Sequence, residues 1–244
     1  MVNWGSPDLA DGHDGARQGR MIERRALLGG FALLGAFAVS GCATTGLRRA
    51  FTSDAEPVRR LMRLSSERAF TWLVQPDGFW TSPVARIPLP VLFTRTGATN
   101  SRKLRSADFR MKLQRQLNTI ASQSAVVAAP LVAQAAKQVA IPDPAEVLGG
   151  GRTAATTLLR KAMGPALVNA MLPDMERAMQ QTGDPTLGEA IAALKGVTIT
   201  DAAHALALEA DNAIWYEIGS AEAAIRQDPA PTGDSLLIAT FKAA

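Results

Sequence analysis

Phe109, Leu113, Leu117, Ile120, Ser124, Val127 and Leu131 follow one another at steps of 4, 4, 3, 4, 3 and 4. Only an α-helix of about six turns sets all seven on one side, so the spacing predicts a long amphipathic helix that must bury that stripe. Ser106 is the expected cap, and Pro130, which has no N–H to donate, is expected to kink or restart the helix. An earlier helix is expected on Val58, Leu61, Met62, Ser65, Ala69, Trp72 and Leu73, with Ser53 or Asp54 as N-cap and Pro57 in the first turn. Breaks fall at Gln75-Pro76-Asp77-Gly78, Ile87-Pro88-Leu89-Pro90, Ile141-Pro142-Asp143-Pro144 and Thr182-Gly183-Asp184-Pro185. Pro165 and Pro173 read as first-turn prolines of new helices. Later helices are expected around Ile214, Ile218, Ala221 and Ile225, and at Leu236, Leu237, Thr240 and Phe241. No alternating strand pattern of useful length occurs, and Val197 to Thr200 is β-branched but too short to decide anything. The prediction is an all-α, single compact domain of about seven to nine helices over residues 54–244. Alanine-rich stretches such as Ala121 to Ala140 suit close helix–helix approach.

Of 244 residues only one is cysteine and two are histidine, which leaves no disulfide framework, no Cys-cluster zinc site and little for a metal or a triad. No cofactor or metal is therefore expected. The position of the lone cysteine carries more information than its number. Arg24 and Arg25 precede a 14-residue apolar run from Ala26 to Val39, and Ser40, Gly41 and Cys42 follow. That run is too short to span a bilayer as a helix, which takes about 20 residues. A positive start, an apolar middle and small residues at the end make a secretory signal peptide. Val39-Ser40-Gly41-Cys42 resembles the lipobox of bacterial lipoproteins, in which the cysteine thiol is acylated and becomes the mature N-terminus. Several acyl chains anchor stably where one would be marginal. Ala43 after the cysteine implies, by the same resemblance, the periplasmic face of the outer membrane. Arg24-Arg25 also resembles a twin-arginine export motif, although paired arginines are ordinary in any signal start. Met21 would begin a compact signal, so residues 1–41 are read as leader and 42–53 as a tether.

The formal charge of +4 is unevenly placed. Cys42 to Gln116 holds 14 basic and 5 acidic residues, and Leu117 to Ala244 holds 8 basic and 13 acidic. The basic half adjoins the expected anchor, where it could rest on anionic lipid headgroups. The other reading is that the halves neutralise each other on folding or that the arginines solvate a face. Nucleic acid is not an expected partner of an exported, tethered chain that lacks an aromatic-interleaved basic motif.

Candidate chemistry is thin. Gly149-Gly150-Gly151-Arg152, followed by a helix from Thr153, offers backbone N–H groups and a cation to an anion. It is not a phosphate-binding P-loop, because the spacing fails and no lysine stands before Thr153. A glycine-rich turn between helices is the commoner role for such a segment. His204 lies near Asp201, but no nucleophile is marked by its context. Glu222 and Arg226 have the spacing of a helix-stabilising ion pair. Phe79 and Trp80 serve either as an exposed platform or as loop anchors in the core.

Several segments together resemble a family of bacterial lipoproteins known by its domain of unknown function 4197. They are Gln75-Pro76-Asp77-Gly78-Phe79, the Ile87-to-Pro90 break, Leu117-Asn118, Asp143 to Gly151 with Thr153-Ala154-Ala155-Thr156, and Glu222, Ile225-Arg226, Asp228-Pro229 and Leu236-Leu237. The chain departs from the family pattern at Ile120-Ala121-Ser122, where an Ala-Ala-Glu run is common, and at Leu158, where an aromatic is common. The resemblance implies an exported helical lipoprotein and supplies no activity, so no catalytic residue is carried over. The expected function is a lipid-anchored envelope protein with a binding or structural role, more simply a non-enzyme. The alternative is a hydrolase or small-ligand binder with an interhelical site near Arg152.

Overall fold

A computed structural model describes residues 53–95 and 101–242, all within the compact unit Thr45–Ala244. The leader and anchor residues Arg24, Arg25, Val39, Ser40, Gly41 and Cys42 lie outside the described residues. Eleven α-helices and no strand occur among the described residues. In chain order they are α1 (Glu56–Leu73), α2 (Gly78–Thr81), α3 (Val91–Thr94), α4 (Arg102–Arg105) and α5 (Ala107–Gln138). Then come α6 (Pro144–Gly149), α7 (Ala154–Met163), α8 (Ala166–Gln181), α9 (Pro185–Ala192), α10 (Ile199–Gln227) and α11 (Ser235–Lys242). The count exceeds the expected seven to nine because α2, α3 and α4 are single turns of four residues in the proline-broken segment.

Four helices carry the core. α1 packs on α5, α5 on α8, α8 on α10, and α10 back on α1, which closes a four-sided bundle. Its interior holds Leu61, Leu73, Leu113, Leu117, Leu167, Met171, Leu206 and Ile214, all fully buried. α2, α4 and α9 brace α5, while α7 touches α10, α1 and α5, and α11 caps α1. By length and composition α5 is the one helix among the described residues able to cross a membrane. It stands here as the central helix of the bundle.

The α5 stripe is met in its first half, where Leu113, Leu117, Ile120 and Ser124 are buried. Beyond that the buried line moves to Ala121, Ala125, Ala128, Val132 and Ala136, and Leu131 is 40% exposed. Small side chains bury where neighbouring backbones come closest, so apolar bulk alone misreads the facing side. Ser106 caps α5 through the Phe109 N–H. α5 runs on through Pro130 rather than restarting there, and α8 runs through Pro173, where the first turn of a new helix was expected; Pro165 is the N-cap of α8. Both interior prolines are exposed, so the carbonyl each one frees faces water and the helix continues. Val197 to Thr200 turns out to be a helix start. Thr198 caps α10 through the Asp201 N–H at 3.1 Å, and Asp201 accepts the Thr198 N–H at 2.8 Å, a reciprocal capping box.

The segment between α2 and α3 has no regular structure, and a buried amide on α5 brackets Ile87 at its middle, where Gln114 also donates to the Ile87 carbonyl at 2.9 Å. Asn118 is fully buried on α5. Its Oδ1 accepts the Ile87 N–H at 2.9 Å, and its Nδ2 donates to the Ile87 carbonyl at 2.9 Å and the Gln114 carbonyl at 2.8 Å. Phe79 is fully buried and Trp80 half-buried, with the Arg86 guanidinium 4.7 Å from the ring centre. The pair therefore anchors the loop, and Arg86 covers what is left of the indole. Gly78 must be glycine, since a Cβ there would lie 2.3 Å from the Trp72 carbonyl oxygen.

Two outcomes follow for stability. Asn118→Ala leaves the Ile87 N–H buried without an acceptor and should cost about 2–3 kcal/mol in urea denaturation; a change within error would show the loop is held elsewhere. Asp234 caps α11 by accepting the N–H groups of Leu236 and Leu237, and pairs with Arg60 of α1 at 3.1 Å. Burial pushes its carboxyl up, but the Leu237 and Leu236 N–H groups and Arg60 outweigh that and hold it below the ordinary value. A carboxyl held low contributes stability above its unfolded pKa and loses it as pH falls through the folded value. Asp234→Asn should therefore flatten the fall in Tm below about pH 4, and parallel pH profiles for the two proteins would exclude that contribution.

Candidate functional site

The glycine turn is organised from beneath by α10. Glu222 has no solvent contact, and its carboxylate accepts the Ala155 N–H at 3.0 Å, the Thr156 N–H at 2.7 Å and the Thr156 hydroxyl at 2.6 Å. It thus caps the N-terminus of α7 from another helix and complements the positive end of its dipole. One turn later Arg226 donates to the Glu222 carboxylate at 2.8 Å. Its remaining nitrogens donate to the carbonyls of Leu148 at 2.8 Å and Val147 at 2.9 Å, the closing carbonyls of α6. The ion pair anticipated from spacing alone is thus a buried lock joining α6, α7 and α10. At the turn itself, a Cβ on Gly150 would meet the Glu146 carbonyl at 2.8 Å, whereas Gly149 closes α6 and Gly151 has open space around it. The Ala155 and Thr156 amides at the start of α7, which an external anion would use, are occupied by Glu222. Arg152 is exposed, and among the described residues its one polar contact is a long 3.4 Å approach to Gln227.

α7 and α10 run antiparallel, and a second charged clamp holds the far end. Arg160 donates to Asp211 at 3.1 Å and to Asn212. The indole N–H of Trp215 donates to the other Asp211 oxygen at 2.9 Å. Burial pushes the Asp211 carboxyl up, opposed by Trp215 and Arg160. Between the clamps a cleft of about 730 Å³ opens. Thr153, Thr156, Thr157 and Arg160 line it from α7, spaced as a single helical stripe. Trp215, Tyr216, Gly219 and Ser220 line it from α10, and Val84 forms the rim. A Cβ on Gly219 would sit 3.1 Å from the Thr153 methyl, so glycine at this position lets the start of α7 approach closely. Tyr216 is 61% exposed and forms an open wall, whereas Trp215 is floor at 3%.

Of the residues singled out from sequence, Arg152 and Thr153 reach this cleft, and Glu222 lies beneath it. His204 is exposed. Arg160, Trp215 and Tyr216 were not anticipated; the i, i+3, i+4, i+7 run from Thr153 to Arg160 was the available signal. Among the described residues no three His, Cys, Asp or Glu side chains are grouped to hold a metal ion.

Residues 51–242 match the family described as protein of unknown function DUF4197. The chain belongs to this family. No curated protein and no solved structure matches it. The DUF4197 match spans both the Asn118 bracket and the Glu222–Arg226 lock. Ser122, which departs from the resembled pattern, is buried in this DUF4197 chain and accepts the Phe79 N–H at 3.4 Å.

Glu222→Ala should cost about 3–5 kcal/mol, because it strands a buried guanidinium and uncaps α7. Adding Arg226→Ala should cost far less than the sum of the two single changes, as a chemical-denaturation cycle would show; strict additivity would mean the two act separately.

Proposed function

We propose that this protein is an exported lipoprotein, cleaved before Cys42, acylated there, and held by a tether of residues 43–53 at the periplasmic face of the outer membrane. The observation that carries this reading is the leader. A paired-arginine start, a 14-residue apolar run and Ser40-Gly41 converge on the single cysteine of the chain. The folded domain serves a binding or structural role. The two carboxyl groups buried among the described residues, Glu222 and Asp211, are both engaged by protein donors that hold α7 to α10, which favours binding over hydrolysis.

Charge placement supports a second contact with the membrane. Arg110, Met111, Lys112 and Arg115 are exposed on the opening turns of α5, with Met111 at 55%. Arg102, Lys103 and Arg105 lie beside them on α4. Arg60–Asp234 and Lys103–Glu189 join the basic and acidic halves, while Arg110 and Lys112 stay on the surface with an apolar side chain between them. Such a face suits anionic headgroups. A second functional reading, a small-ligand site near Arg152, is favoured by the concave cleft between α7 and α10.

Cys42→Ser should abolish incorporation of labelled fatty acid and move the protein from the membrane fraction to the soluble one. Unchanged fractionation would overturn the lipoprotein reading. The protein lacking acylation should still sediment with phosphatidylglycerol vesicles at low salt and be released at high salt. Equal sedimentation with phosphatidylcholine would remove the electrostatic contact.

A further inference from the structure

We infer that the cleft between α7 and α10 binds a small amphiphilic monoanion, with its carboxylate or sulfonate head on Arg152 and its apolar body lying along Tyr216 towards Arg160. This rests on reading the cleft as a ligand site and adds the ligand's chemistry. Charge complementarity fixes the sign. The half of the chain that builds α7 and α10 has an excess of acidic residues, yet among the described residues no acidic side chain lines the cleft and two arginines do. The neighbouring charges cancel in pairs, Arg160 with Asp211 and Arg226 with Glu222. Among the described residues Arg152 is left over, exposed and with only a neutral amide 3.4 Å away. One uncompensated cation at one end of a cleft calls for one negative charge.

The walls specify the rest of the ligand. Thr156 and Thr157 commit their hydroxyl protons to Glu222 and to the Thr153 carbonyl, so neither is left to donate to a polar guest. Gly219 and Ala223 keep the floor low, while the Tyr216 ring and Val84 stand exposed as apolar flanks. Val84 is held in place by a buried hydroxyl. Ser82 accepts the N–H groups of Val84 at 3.2 Å and Ala85 at 2.8 Å and donates to Glu217 at 2.6 Å. From Arg152 to Arg160 the α7 stripe runs about 12 Å, the scale of a short acyl or aryl chain.

Tyr216 is the only tyrosine in the chain, so tyrosine labelling places a single NMR signal on the cleft wall. Octanoate and octanesulfonate, titrated into the labelled full-length protein in phosphatidylcholine nanodiscs, should move that signal saturably. Arg152→Gln, at an exposed position, should weaken both about tenfold or more, with Arg152→Lys recovering part of the loss. Ser220→Leu, also at an exposed position, should block the cleft and abolish the shift with the charge intact. Saturable binding of octanol or octylamine that ignores Arg152→Gln but is lost in Ser220→Leu would overturn the anionic assignment and leave a ligand cleft. A shift that never saturates, or that survives both substitutions, would overturn the cleft as a site altogether.

Discussion

A carboxyl group with no solvent contact must have its lost water replaced by protein donors, and the arrangement around Glu222 follows from satisfying it. Glu222 gains two backbone N–H groups, one hydroxyl and a guanidinium, enough to replace the water it has lost. Those donors come from α7 and α10, and the guanidinium in turn reaches the last carbonyls of α6. The glycine turn is thereby drawn between two helix ends whose open backbone groups would otherwise need solvent. Remove the carboxylate and α6, α7 and α10 lose their common point of reference.

That arrangement also explains why there is a cleft where it is. α7 is pinned to α10 at both ends by charge, through Glu222 at its start and Arg160 near its finish. Elsewhere the bundle closes by alanine, as along Ala121, Ala125 and Ala128 of α5 and Ala203, Ala207 and Ala210 of α10. Between the pins, threonine, serine and glycine face one another over too short a span to collapse together. The gap is a product of two polar clamps, which is why its edges are charged and its middle is not.

Much of this was open to reading in the sequence, and the remainder was hidden for physical reasons. The all-α class and the long central helix follow from a spacing that no strand can use. The Asp77–Gly78 turn and the Ser106 cap were likewise written locally. No helix restarts at Pro130 or Pro173 because the cost of an interior proline depends on whether the freed carbonyl meets water, which is a property of the packed bundle. The Glu222–Arg226 pair was legible from its spacing but its burial was not, since an i, i+4 pair has the same spacing on a wet face as in a dry interior. Arg160 and Tyr216 matter only because α7 lies antiparallel on α10, and that is a tertiary fact.

The contact between Arg60 and Asp234 links residues 174 apart, and α10 and α11 both pack on α1. The first helix of the bundle therefore has its full set of neighbours only once α10 and α11 have packed on it. Pairing α1 with α5 closes a much shorter loop than bringing α10 and α11 back to α1. Closure of the core thus rests on contacts of long sequence separation, which places this domain towards the slow end of folding among helical bundles.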